Sequence, residues 1–187
     1  MRVQSGLLGL LLLMGCGLFQ TRTPEAPATA EANRYRPPET PDIALANLEA
    51  AIATLNVQDY VRGLSSGFRY SPATPALARN PALWAGWGVE QESAYFQNLR
   101  LSAQGQTGHR ISLSERQAEA GSERYQITAR YVLQVQHRRP DVPTVAEGRM
   151  SLTLVRERDG LWRILEWTDA ALENRFSWSD LRAAFLR

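Results

Sequence analysis

Two carboxylates, two tryptophans and an arginine fall within one short stretch of the chain, Gly160 to Ala170, which reads GLWRILEWTDA. A β-strand alternates its side chains between two faces, so the stretch sorts its own residues. With Trp162 and Ile164 turned to a core, Glu166 and Thr168 follow them inward, and Arg163, Leu165, Trp167 and Asp169 face out. A bulge would swap the faces of the tail. Glu166 is therefore the better candidate for an acid held inside, and Asp169 the worse. A second inward acid is Glu92, which shares an i, i+3, i+4, i+7 stripe with Tyr95, Phe96 and Leu99. An acid among apolar neighbours is a candidate for general acid–base chemistry, because desolvation raises a carboxyl pKa.

Other chemistries are closed off by composition. All 21 basic residues are arginine, so no lysine can form a Schiff base or serve a phosphate loop. There is one cysteine, Cys16, which rules out an intrachain disulfide. The two histidines, His109 and His137, have no ligand partner at i+2 to i+4. Each sits beside an arginine at a strand end, where an exposed histidine rather than a metal ligand is expected. Neither a GxSxG motif nor a glycine-rich phosphate loop occurs, and no cofactor or metal is expected. A formal net charge of +2 gives no case for nucleic-acid binding.

The elements that would position these residues follow from periodicity. Ile43, Leu45, Leu48, Ala51, Ile52 and Leu55 predict an amphipathic helix over 42–55. Asn56 with Asp59 marks the start of a second, short helix carrying Tyr60, Val61 and Leu64. Gly67–Tyr70 reads as a brief strand, 72–83 as a Pro/Ala loop, and Trp84–Gly88 as the approach to a third helix with Glu90 and Glu92 in its first turn. Period-two alternation then takes over through Ile111, Tyr125–Val135, Met150–Leu154 and Trp162–Ile164, with glycines and prolines between the runs. Four long antiparallel strands and a closing helix over 178–186, docked by Trp178, complete an α+β order.

The chain opens with Met1-Arg2, then a short apolar run ending at Met14, and Gly15-Cys16. The run is shorter than the ~20 residues a membrane-spanning helix needs. It reads as a secretory signal peptide over 1–15. Leu13–Cys16, "LMGC", resembles the bacterial lipobox, which implies lipidation of Cys16 and a membrane anchor; Met14 departs from the usual small residue. Residues 16–40 then form a Pro/Ala-rich tether, since 17–41 hold five of the ten prolines. A domain over 41–187 follows, and Gly17 after the cysteine permits outer-membrane delivery. The expected place is the bacterial cell envelope, facing the periplasm or the exterior.

The element order, together with Asp159-Gly160-Leu161-Trp162-Arg163-Ile164 in the last strand and WGVEQESAYFQNL at Trp87–Leu99, resembles the NTF2-like (SnoaL-like, cystatin-like) superfamily. The resemblance covers about 41–175. It implies an α+β fold in which helices pack into the concave face of a curved antiparallel sheet, leaving a cavity between the layers. It specifies fold far better than function. In such a cavity Glu92 and Glu166, with Tyr131, Tyr95 or Tyr70 as hydrogen-bond donors and Trp84 nearby, would make a polar spot. That is the basis for a cofactor-free isomerase, dehydratase or hydrolase. Thr168, where the epoxide-hydrolase version has Arg before Asp, argues against that activity. The structural alternative has Glu92 supporting a helix start and Glu166 paired with an arginine such as Arg130 or Arg149. The favoured reading is a lipid-anchored module that binds a small apolar ligand or an envelope partner. Outward Leu165, Trp167 and Val132 suggest a homodimer through the outer sheet face.

Overall fold

The computed structural model describes residues 35–186. The segment read as a signal peptide, Cys16 and the segment read as a tether up to residue 34 lie outside the described residues. The last part of the segment read as tether runs along the domain. Arg36 and Asn47 exchange two hydrogen bonds, at 3.1 and 2.6 Å, and the Pro38 carbonyl accepts from Trp162 N at 2.7 Å.

Helix α1 (Pro41–Thr54) starts on Thr40, whose side chain accepts from Ile43 N, with Pro41 as its first residue, where a missing N–H costs nothing. Helix α2 (Val57–Arg62) is capped by Asn56, as its spacing to Asp59 predicts. Strand β1 runs Leu64–Ser71. Residues 72–83, expected as a loop, fold instead largely into two short helices, α3 (Thr74–Arg79) and α4 (Pro81–Trp84). Both have proline in the first turn, and the Asn80 side chain accepts from Leu83 N. Proline there starts a helix rather than breaking it. Helix α5 (Val89–Ser102) buries Glu92, Tyr95, Phe96 and Leu99, the stripe read from spacing. Strands β2 (Arg110–Ala120), β3 (Arg124–Gln134), β4 (Val145–Arg156) and β5 (Trp162–Ala171) follow, and α6 (Trp178–Leu186) closes the chain.

The five strands form one curved sheet in the order β1-β5-β4-β3-β2. Neighbours from β2 to β5 are antiparallel, while β1 joins β5 in parallel. The helices cover the concave face, and α6 lies there against α5, β4 and β5. The fold is thus α+β, as expected.

One irregularity decides which acids enter the core. Leu154 of β4 faces Ile164, but the preceding Thr153 faces Glu166, so Leu165 is an extra residue in β5. That bulge reverses the alternation after Ile164. Trp162 and Ile164 point inward as expected, but so do Trp167 and Asp169, while Glu166 and Thr168 are exposed. The facing expected for Glu166, Thr168, Trp167 and Asp169 is corrected for all four.

Candidate functional site

Two buried carboxylates lie in the concave face, and helix α6 supplies donors to both. Glu92, on the first turn of α5, is fully buried. Its Oε1 accepts from the Tyr60 hydroxyl at 2.5 Å and its Oε2 from the Trp87 indole at 2.7 Å. Arg182 of α6, also fully buried, donates Nε to both oxygens, at 3.0 and 2.9 Å, and Nη2 to Oε1 at 2.7 Å. Such a bidentate fork is the strongest geometry available to an arginine and a carboxylate. Rings surround the guanidinium: its carbon lies 4.0 Å from the centre of Tyr70, 4.6 Å from Trp167, 4.8 Å from Trp178 and 5.4 Å from Tyr95. Arg182 Nη1 and Trp167 Nε1 are buried with no hydrogen-bond partner among the described residues.

Asp169 is the second acid, brought inward by the β5 bulge. Its Oδ1 accepts from the Tyr131 hydroxyl at 2.8 Å. Its Oδ2 accepts from Ser179 N at 2.7 Å, from Ser179 Oγ at 2.5 Å and, more distantly, from the Tyr70 hydroxyl at 3.3 Å. Ser179 stands in the first turn of α6, so Asp169 lies at the positive end of that helix. The Tyr131 oxygen also accepts from Trp178 N at 2.8 Å, and the Ser179 hydroxyl accepts from Ala73 N at 2.8 Å. Tyr131 reaches Asp169 because Gly148 stands opposite it on β4. A Cβ there would lie 2.7 Å from Tyr131 Cζ and 2.8 Å from the Ala170 carbonyl oxygen.

The electrostatics fix charges in place. Burial, followed by the Glu92 charge, raises Tyr60 well above the usual phenol range. Burial is also the first cause for Tyr70, Tyr95 and Tyr131, all raised. These phenols remain neutral at any physiological pH. Burial, the largest influence, would lower the pKa of Arg182, but the Glu92 charge, the Tyr70 and Tyr60 phenols and the hydrogen bonds to Glu92 together outweigh it and hold the guanidinium protonated. The donors around each carboxylate are thus groups that keep their protons. Both buried acids have their oxygens taken up by donors from within the domain.

The residues singled out from sequence separate accordingly. Tyr70, Tyr95, Tyr131, Trp84 and Glu92 all lie in the buried core. Trp84 donates to the Ala76 carbonyl at 3.1 Å, and the Tyr95 hydroxyl accepts from the Trp178 indole at 2.9 Å. Glu166 does not join them. Its half-exposed side chain pairs on the outer face with Arg124 at 3.2 Å, not with Arg130 or Arg149. His109 is buried rather than exposed: Nδ1 accepts from Gln136 N at 3.2 Å and Nε2 faces the Gln106 carbonyl. Among the described residues, no cluster of three or more His, Cys, Asp or Glu is placed to hold a metal ion. Sequence reasoning does not reach Arg182, Asp169, Ser179, Tyr60 or Trp87 as members of the site. A signal for Arg182 exists, since it occupies the i+4 place in the stripe Trp178, Leu181, Arg182, Phe185 of α6.

No protein-family model and no curated protein sequence matches the chain. Solved structures do match in fold. An NTF2-like protein of unknown function in nutrient uptake from Rhodospirillum rubrum aligns with a TM-score of 0.54 at 13% identity, over 70% of this chain and 97% of that one. An NTF2-like protein from Cytophaga hutchinsonii aligns with a TM-score of 0.51 at 12% identity, over 69% and 93%. Bd1075 from Bdellovibrio bacteriovorus gives 0.51 at 11% identity over 70% of this chain, which spans only 38% of its length. At such identities the likeness speaks for architecture, and the described domain has the NTF2-like fold.

Proposed function

We propose that this chain is a binding module held at a bacterial membrane by lipid on Cys16, outside the cytoplasm, and that it meets an envelope partner with its exterior. One observation carries the choice of partner over substrate: both acids of the concave face have their donors supplied by the chain's own α6. A cofactor-free acid–base enzyme needs a carboxylate open to its substrate, and Glu92 is covered by Arg182 while Glu166 stands on the outer face. A small apolar ligand is disfavoured for the same reason, since aromatic rings and a guanidinium fill the space it would take.

The sequence of the first 16 residues supports the anchor, and no helix among the described residues is long and apolar enough to cross a membrane. Of the three apolar residues that suggested a homodimer, Trp167 is buried inside, Leu165 is half-buried against Gly67, and Val132 alone stands exposed. The exposed face around it carries Arg124, Gln126, Thr128 and Glu166, which suits a polar partner surface. The test is to express the full chain in a bacterium with labelled palmitate, beside Cys16→Ser. The expected result is label and membrane fractionation for the first and neither for the second. An unlabelled, soluble wild-type protein would refute the anchor.

A further inference from the structure

We infer that the concave face holds a built recognition site for a guanidinium group, and that the chain's own Arg182 is its ligand. This goes beyond the anchored-module reading and stands or falls separately from it. An internal cation sets its own requirements: a buried charge is tolerated when it is paired and its protons are met. Glu92 meets three donor contacts of Arg182, at 2.7 to 3.0 Å, and is itself positioned by Tyr60 and Trp87.

The remaining nitrogen, Nη1, has no oxygen partner among the described residues. What surrounds the guanidinium is a cage of rings, Tyr70 at 4.0 Å, Trp167 at 4.6 Å, Trp178 at 4.8 Å and Tyr95 at 5.4 Å. A carboxylate fork on one side and several aromatic faces around the cation are the two devices by which proteins select guanidinium and alkylammonium groups. Three of the four rings, and the acid with both its positioning donors, come from elements other than α6. The site is therefore made by the body of the domain, and α6 occupies it as a ligand in cis. Its class of ligand is an arginine-like cation on an apolar stem, the opposite of the small apolar molecule that the fold alone suggests.

Truncating the ligand tests this in the full-length chain. Arg182→Ala removes the atoms from Cγ outward, which are those of N-ethylguanidinium. N-ethylurea has nearly the same shape without the charge. With N-ethylguanidinium at about ten times its Kd, the thermal midpoint of Arg182→Ala should rise by about 3–6 °C, and it should climb with the logarithm of the ligand concentration. Neither N-ethylurea on this variant nor N-ethylguanidinium on the wild type should do so. Adding Glu92→Gln to Arg182→Ala should abolish the rise. If Arg182→Ala does not fold alone, recovery of its near-ultraviolet circular dichroism becomes the readout, with the same expected preference for the cation. Absence of any rise or recovery, an equal response to N-ethylurea, or a response that survives Glu92→Gln would overturn the inference.

Discussion

Arg182 and Glu92 are each fully buried, so neither charge has water to fall back on. Removing one partner strands the other, a loss of about 3–5 kcal/mol. Arg182→Met and Glu92→Leu should each lower stability by that order in urea unfolding. The double variant should lose clearly less than the sum of the two, because no lone charge remains. It should not reach wild type, since Tyr60 and Trp87 would keep buried donors without an acceptor, at about 1–3 kcal/mol each. Additive losses would show that the two residues do not act as a pair. His109 offers a second test, in pH. Burial pulls its pKa below the ordinary 6.5, opposed by the Gln106 carbonyl. The unfolded chain therefore takes up the proton first, so stability is present above pH 6.5 and is lost as pH falls through the lower folded value. Thermal midpoints of wild type should drop more steeply than those of His109→Gln between pH 7.5 and 5.5. Parallel curves would sink the assignment.

Among the elements, one extra residue separates the expected site from the observed one. Helix periodicity places Glu92 on the right face, and strand alternation places Trp162 and Ile164 correctly, because each pattern depends on neighbours along the chain. The bulge at Leu165 depends on how β5 pairs with β4, and nothing in GLWRILEWTDA announces it. Its consequence is the exchange of Glu166 for Asp169. The pairing of Glu92 with Arg182 is half legible. Each charge interrupts an apolar helical stripe, and two opposite charges so placed would be expected to find each other across a core. The two proline-led helices in 72–83 are hidden because proline signals both a loop and a helix start. Strand β4 supplies a test of the pairing itself. Gly148→Ala puts a methyl group where the Tyr131 phenol and the Ala170 carbonyl already lie, and backbone cannot step aside. Its cost should fall in the range of about 1–3 kcal/mol for overpacked cores and should exceed that of Tyr131→Phe. Tyr131→Phe loses only the hydroxyl shared by Asp169 and Trp178 N. A Gly148→Ala variant as stable as wild type would show that the β3–β4 register is looser than described.

Across the whole molecule, the last helix plays a part that its place in the sequence does not suggest. Chain ends usually fray, and a short C-terminal helix is the first element expected to open. Here α6 is tied at its start by Asp169, by the Tyr131 hydroxyl and by the Tyr95–Trp178 bond, and at its middle by Glu92. Its removal would strip both acids of the donors it supplies and leave a hollow lined with Tyr70, Tyr95 and Trp167. Opening α6 should therefore cost nearly as much as unfolding the domain, and α6 and the sheet should behave as one cooperative unit. Amide hydrogen exchange reads this directly. The Ser179 amide, bonded to Asp169, and the Trp178 amide, bonded to Tyr131, should exchange at the slow rate of the central β3 and β4 amides, within about 1 kcal/mol of global stability. Helix α2, with only Tyr60 of its residues buried, should exchange faster. If the α6 amides instead exchange by a much cheaper opening than the sheet, α6 is a lid over an accessible cavity, and an acid–base role for Glu92, with the inward Asp169 in the place expected for Glu166, gains its footing. Slow exchange at Ser179, together with loss of cooperative unfolding in a chain stopped after Phe176, would establish α6 as part of the core.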